Sequence, residues 1–238
     1  MSVTPDFVGQ IYKDTTNGNL WRANSLTPGD WTLELQNGLM KWTPRTIKMP
    51  EVLGYNYSTN LLEATELVFE QSTVTQPIQI YETTISSVRF PNLLTVDPDY
   101  WWGSDLDFSG ATALNNLELP LVNNFGSGSL KAIGCTSLPS ISLPSLVTIA
   151  EVIDFQSCSS LVSVSFPLFL PTNSKAVNFA NCALSSASVN HILARCVANA
   201  GYVSGVVNVQ GGTSAAPTGQ GVADKATLIG RGVTVNTN

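Results

Sequence analysis

The chain has 238 residues, of which only 12% are charged, with a net charge of −6 and just 11 lysines and arginines. That charged share is about half the usual one, and Ser, Thr and Asn take its place. No basic cluster occurs, which argues against nucleic acid and against an anionic membrane as partners, and no apolar run approaches the ~18 residues of a membrane span.

Residues 1 to 38 read as a small β module. "VGQIYKDTTNGNLWRA" is two alternating runs around "TTNGN", and Asn17-Gly18 is a strong hairpin signal. "DWTLEL", Asp30 to Leu35, reads as a third strand. Below ~40 residues a lone domain usually needs staples or partners. This segment has no cysteine, so it is expected to pack on the first coil, on sister copies or on a larger particle. Tyr12, Trp21 and Trp31 are its candidate attachment residues. The opening "MSVTPDFVGQ" has neither a basic n-region nor an apolar h-region, so it does not read as a secretory signal. The expectation is a chain made in the cytosol and soluble there, unless another assembly carries it out.

Residues 39 to 184 repeat. The pattern aliphatic–x–apolar–Pro occurs as "IKMP" from Ile47, "VRFP" from Val88, "LELP" from Leu117, "ISLP" from Ile141 and "VSFP" from Val164, with a degenerate "LVFE" from Leu67. The steps between starts are 20, 21, 29, 24 and 23 residues, in the range that marks a solenoid. Leu106, Leu130, Ile153 and Val177 open the later coils. Ala111, Cys135, Cys158 and Cys182 follow five residues after each opener, and Leu114, Leu138 and Leu161 eight after the first three. Within one coil, Ile141 and Leu143 point the same way and Ser142 the opposite way. The proline after Leu143 suits a strand end or a corner. A single coil cannot bury its apolar face, but stacked coils form a parallel sheet over a continuous core. Leu119, Ile141, Leu143, Val164 and Phe166 are expected inward.

Residues 185 to 238 change period. Val189, Ile192, Leu193, Cys196 and Val197 lie at helical spacing, with Ser186 or Ser188 as the cap and Gly201 beyond the end. "GVVNVQGG" reads as a strand and loop, "GVADKATLIGRG" as a second helix and "VTVN" as a last strand. This α/β segment fits the capping unit that a solenoid needs. The expected fold is therefore mainly β: a parallel-sheet solenoid with an N-terminal β-hairpin module and an α/β C-terminal cap.

Chemistry is sparse. Cys135, Cys158 and Cys182 share one register and would stack about 5 Å apart. Buried free thiols, disulfides and a metal site are the three readings, and the spacing of zinc ligands is absent. The one histidine, His191, sits on the first helix without a nucleophile motif, so no catalytic residue, cofactor or metal is expected. The 29-residue step contains "VDPDYWWGSDLD", an extra loop where Asp99, Tyr100, Trp101, Trp102 and Asp105 form a candidate recognition surface, since Tyr and Trp are favoured interface anchors. The same loop holds the only paired carboxylates a glycosidase could use.

The coils resemble leucine-rich repeats of the bacterial surface-protein type. The ending "GGTSAAPTGQGVADKATLIGRGVTVNTN" resembles the ends of such proteins in bacteria and phages. "DFVGQIY", "DTTNGNLW" and "DWTLEL" resemble a small module of phage tail fibres and other virion surface proteins. The repeats depart from the common pattern, with Ala111 and the cysteines in place of an asparagine ladder. The resemblance implies a non-enzymatic virion surface protein, a tail fibre or head decoration, assembled in the host cytoplasm. Its implied partners are other virion proteins, a host surface glycan or protein, and sister copies in a homo-oligomer, with a trimer favoured. The other readings are a bacterial or prophage leucine-rich-repeat interaction protein and a polysaccharide-degrading spike.

Overall fold

The structure, a computed structural model, describes residues 66–70, 72–74, 77–81, 83–96, 105–126, 128–172 and 175–238, and the backbone of four strands before them. It is mainly β with parallel sheets, and the described residues include two helices. The chain divides into two compact units, Met1–Thr43 and Pro44–Asn238.

In the first unit β1 (Ile11–Lys13) pairs antiparallel with β2 (Leu20–Ala23), and β2 with β3 (Trp31–Leu35). The alternating runs thus pair as expected, while Asn17-Gly18 lies outside the described residues. Tyr12 is the register partner of Trp21, and Trp31 that of Ala23.

The second unit opens with β4 (Thr46–Met49) and continues in passes, the first four of which contribute three short strands each. The first pass has β5 (Glu66–Phe69), β6 (Thr73–Val74) and β7 (Ile78–Gln79). The second has β8 (Ser87–Arg89), β9 (Thr95–Val96) and β10 (Leu106–Asp107). The third has β11 (Asn116–Glu118), β12 (Asn124–Phe125) and β13 (Leu130–Lys131). The fourth has β14 (Ser140–Ser142), β15 (Thr148–Ile149) and β16 (Val152–Asp154). The fifth has β17 (Ser163–Ser165) and β18 (Ala176–Asn178), then helix α1 (Ser186–Ala198), β19 (Val206–Asn208), helix α2 (Gln220–Gly230) and β20 (Thr234–Asn236).

Corresponding strands of successive passes pair in parallel, an arrangement compatible with a solenoid-like fold. β4, β5, β8 and β11 form one sheet, β14 and β17 another, and β6, β9, β12 and β15 a third. The seven strands β7, β10, β13, β16, β18, β19 and β20 form the longest. Leu106 pairs with Leu130, Leu130 with Ile153, and Ile153 with Val177, so the phase of the repeat is the register of this sheet. The degenerate copy holds its place too, with Leu67 between Ile47 and Val88.

The interior follows from the pattern. Leu119, Ile141, Leu143, Val164 and Phe166 are buried, and Ser142 is exposed. Phe69 stacks on Phe90 with ring centroids 4.5 Å apart, and Phe155 on Phe179 at 5.3 Å. The second to fifth passes then turn through a left-handed residue: Gly110, Gly134, Ser157 and Asn181, at φ 83°, 73°, 63° and 57°. The N–H of each reaches the next pass, for example Gly134 N–H to the Gln156 carbonyl at 2.8 Å.

Directly after these corners come Ala111, Cys135, Cys158 and Cys182. The cysteines are free and buried, as is Cys196 on α1. The Cys135, Cys158 and Cys182 thiols donate to the carbonyls of Phe108, Ala132 and Phe155 in the preceding pass, at 3.0–3.1 Å. Burial pushes Cys182 and Cys196 up to about 12. Cys135 is raised by its hydrogen bond with Cys158 and by burial. The same neighbour lowers Cys158, yet Cys158 is 0% exposed and out of reach of solvent reagents. A thiol reagent added to the native protein should leave all four largely unmodified, and denaturant should release four reactive thiols. Fast native labelling would refute the ladder.

One rung of the stack is missing. Asn115 and Asn116 both donate to the Ser86 carbonyl, and Val162 and Ser163 both donate to the Pro139 carbonyl. At the equivalent place between β11 and β14 stands Pro139, which has no N–H to donate. β11 and β14 form no ladder, and a depression of about 290 Å³ lies along the seam, lined in part by Asn116, Glu118, Ser140 and Ser142.

Helix α1 closes the free edge of β17. Its N-cap is Ser185, which accepts from Ser188 N–H at 3.2 Å, in place of Ser186 or Ser188, the caps expected from sequence. Polar side chains three or four residues apart share a helix face, and here that face meets backbone. Ser188 Oγ accepts from Val164 N–H and donates to the Val162 carbonyl. His191 Nε2 accepts from Phe166 N–H at 3.0 Å, Arg195 Nε donates to the Phe169 carbonyl, and Asn199 Nδ2 to the Pro171 carbonyl. An edge strand left open is an aggregation hazard, and this row covers it. At the far end of α1, Arg231 Nη1 donates to the carbonyls of Val197 and Asn199, two of the groups a helix C-terminus leaves unpaired.

His191 must be neutral to accept that bond, and burial, then the Arg195 charge, lower its pKa. The folded state therefore binds this proton more weakly than the unfolded chain, so stability is full above about pH 6.5 and declines as pH falls below it. The melting temperature should drop between pH 7.5 and 5. His191→Gln keeps an acceptor that does not titrate and should show a shallower drop. Parallel curves for the two proteins would remove His191 as the cause.

Candidate functional site

The seven-stranded sheet presents one long outward face. Leu106, Leu130, Ile153, Val177 and Val207 are buried, so the residue after each points out. In register these are Asp107, Lys131, Asp154, Asn178 and Asn208, with Gln79 before them and Asn236 after. After Gln79 the row is charged from Asp107 to Asp154 and carries amides from Asn178 onward.

In the charged half Asp105 is the one described member of the sequence-predicted recognition loop. Its Oδ1 accepts from Ser129 N–H at 2.8 Å, and its Oδ2 pairs with Lys131 Nζ at 2.5 Å. Asp105 thus ties adjacent passes together instead of offering a free carboxylate. Asp99, Tyr100, Trp101 and Trp102 lie outside the described residues. Asp107 Oδ1 closes a turn on Ser109 N–H, and its Oδ2 accepts from Tyr81 Oη at 3.4 Å. Tyr81 is 47% exposed, and its hydroxyl is raised by burial and by Asp107. Among the described residues no group of three or more His, Cys, Asp or Glu could hold a metal.

In the amide half the chain builds a depression of about 390 Å³. Gln156, Ala180, Asn181, Asn208, Gln210, Gly211 and Asn238 line it. Backbone and side-chain bonds place these residues. Gln156 N–H is held by Asp154 Oδ1 and Gln210 N–H by Asn208 Oδ1. Asn181 N–H donates to the Gln210 carbonyl at 2.9 Å, and Gly211 N–H to Asn238 Oδ1 at 2.8 Å. Asn238 Nδ2 is anchored on the Ser214 carbonyl.

No family model, curated protein or solved structure matches the chain. The site is therefore read from its chemistry. Reasoning from sequence placed recognition on the aromatic loop and missed these amides, because they come from different passes about 25–30 residues apart. The available signal was the row of Asp154, Asn178 and Asn208, each one residue after a buried aliphatic, continued by Asn236 after the partly buried Val235. His191, considered as a base, is occupied by Phe166 N–H, and the described fold uses it as an acceptor under α1.

Proposed function

We propose that the chain is a non-enzymatic surface protein of a phage particle, built as a leucine-rich-repeat solenoid whose long outward face recognises a partner. The observation that carries this reading is the seven-stranded parallel sheet, an extended polar platform of the kind stacked-repeat proteins use for binding. Asp105 on it pairs with Lys131, and Asp107 and Asp154 accept from Tyr81, Asn178 and nearby backbone N–H groups, which suits a scaffold for contact rather than for acid–base work. The α/β segment from α1 onward acts as the cap, because its side chains satisfy the edge of the last all-β pass. The resemblance of residues 1–38 to virion modules supplies the attachment.

Mass spectrometry of purified particles tests the assignment, with deletion of residues 1–36 as the second arm. The full chain should be present in particles, and the truncated chain should fold but not be incorporated. Absence of the full chain from particles would favour the bacterial or prophage interaction protein. Release of sugar from host cell wall would favour a polysaccharide-degrading spike. Normal incorporation of the truncated chain would move the anchor to the repeats or the cap.

A further inference from the structure

We propose that the amide-lined depression at the C-terminal half of the long sheet is a binding site for a neutral carbohydrate. It deepens the recognition reading above by giving the partner a chemical class and a place.

The argument begins with which polar atoms are already used. Gln156 Oε1 accepts from Asn178 Nδ2 at 3.2 Å, which leaves Gln156 Nε2. Asn208 Oδ1 accepts from Gln210 N–H, which leaves Asn208 Nδ2. The carboxamides of Asn181 and Gln210 make no hydrogen bond among the described residues, and both side chains are exposed. Four amide nitrogens and two amide oxygens therefore face one hollow. A sugar hydroxyl both donates and accepts, and a carboxamide offers one of each side by side. The volume of about 390 Å³ is near the lower end of the range that small-molecule pockets occupy.

The alternatives fit less well. No lysine or arginine lines the hollow, and Asp154 stands next to it, 3.0 Å from Asn178 Nδ2, so a phosphate or carboxylate gains nothing. Ala180 is the one apolar side chain in the wall, which gives a peptide no anchor. The backbone that carries the amides is also fixed. Asn181 holds a left-handed backbone at φ 57°. Gly211 beneath it has no Cβ, and one built there would overlap Asn181 Oδ1. Preorganisation lowers the ordering cost that binding otherwise carries.

Two substitutions remove recognition atoms without removing structure. Asn181→Gly keeps the left-handed turn and deletes its carboxamide, and Gln210→Ala deletes an exposed amide with no protein partner. The full chain, fluorescently labelled, is applied to a printed array of neutral and acidic oligosaccharides beside the double variant. We expect retention on neutral glycans, a signal at least tenfold lower for the double variant, and the same melting temperature for both proteins. No retention on any neutral glycan, retention on acidic glycans alone, or equal signals from the two proteins would each overturn the site. A blank array leaves the particle assay untouched, and a chain missing from particles leaves the array result standing.

Discussion

Leu143→Asp is expected to abolish the folded state, whereas Ser142→Asp, one residue away, should leave it nearly unchanged. Leu143 is 1% exposed and lies among the aliphatic and phenyl groups of the stacked interior. Its N–H donates to the Ser165 carbonyl at 2.8 Å, so the backbone cannot move to bring a carboxylate out. An unpaired buried charge costs several kcal/mol, against a total stability of roughly 5–15 kcal/mol for a typical domain. Ser142 is exposed, and surface changes of this sort stay within about 0.5 kcal/mol. Soluble expression and thermal denaturation by circular dichroism decide the matter. An unchanged melting temperature for Leu143→Asp would mean that the register is wrong.

Gly212→Ala should lower stability by about 3 kcal/mol, combining a left-handed backbone penalty of about 1–2 kcal/mol with overpacking of similar size. Gly212 has φ 58°, and a Cβ there would overlap the Cys182 carbonyl oxygen and the Asn181 carbonyl carbon. Both are backbone atoms held in place, since Thr213 N–H donates to that Cys182 carbonyl and Ala215 N–H to the Leu184 carbonyl. Gly134 is the control. It has φ 73° with nothing within 4 Å of a built Cβ, so Gly134→Ala isolates the backbone penalty of about 1–2 kcal/mol. Denaturant midpoints measured on both variants should rank them in that order. Equal losses would show that the close approach at Gly212 relaxes freely.

Much of the architecture was legible because stacking converts sequence period into spatial register. Leu106, Leu130, Ile153 and Val177 could be aligned by eye, and they are bonded partners. Helix α1 was legible because its buried residues recur at helical spacing. The strands β6, β9, β12 and β15 were not, because two residues each are too few to show alternation. Ser157 and Asn181 gave no sign of their left-handed backbone, which only alignment with Gly110 and Gly134 reveals. Pro139 could be read as a strand boundary but not as a missing rung, since that requires knowing that Ser86, Asn115 and Val162 are its counterparts. The amide hollow was illegible for a related reason: its members are neighbours only across passes.

The missing rung at Pro139 gives the stack a preferred direction of flexure. Elsewhere in the third and fourth passes the layers are clamped by ladders, β12 to β15 on one face and β13 to β16 on another. Between β11 and β14 the third clamp is absent. A bending load on such a column is not shared equally. The unclamped side opens first, with the two bonded faces serving as the hinge line, so the two halves of the long outward face can change their mutual tilt without breaking a backbone bond. Asp107 and Lys131 lie on one side of this line, and Asp154, Asn178 and Asn208 on the other.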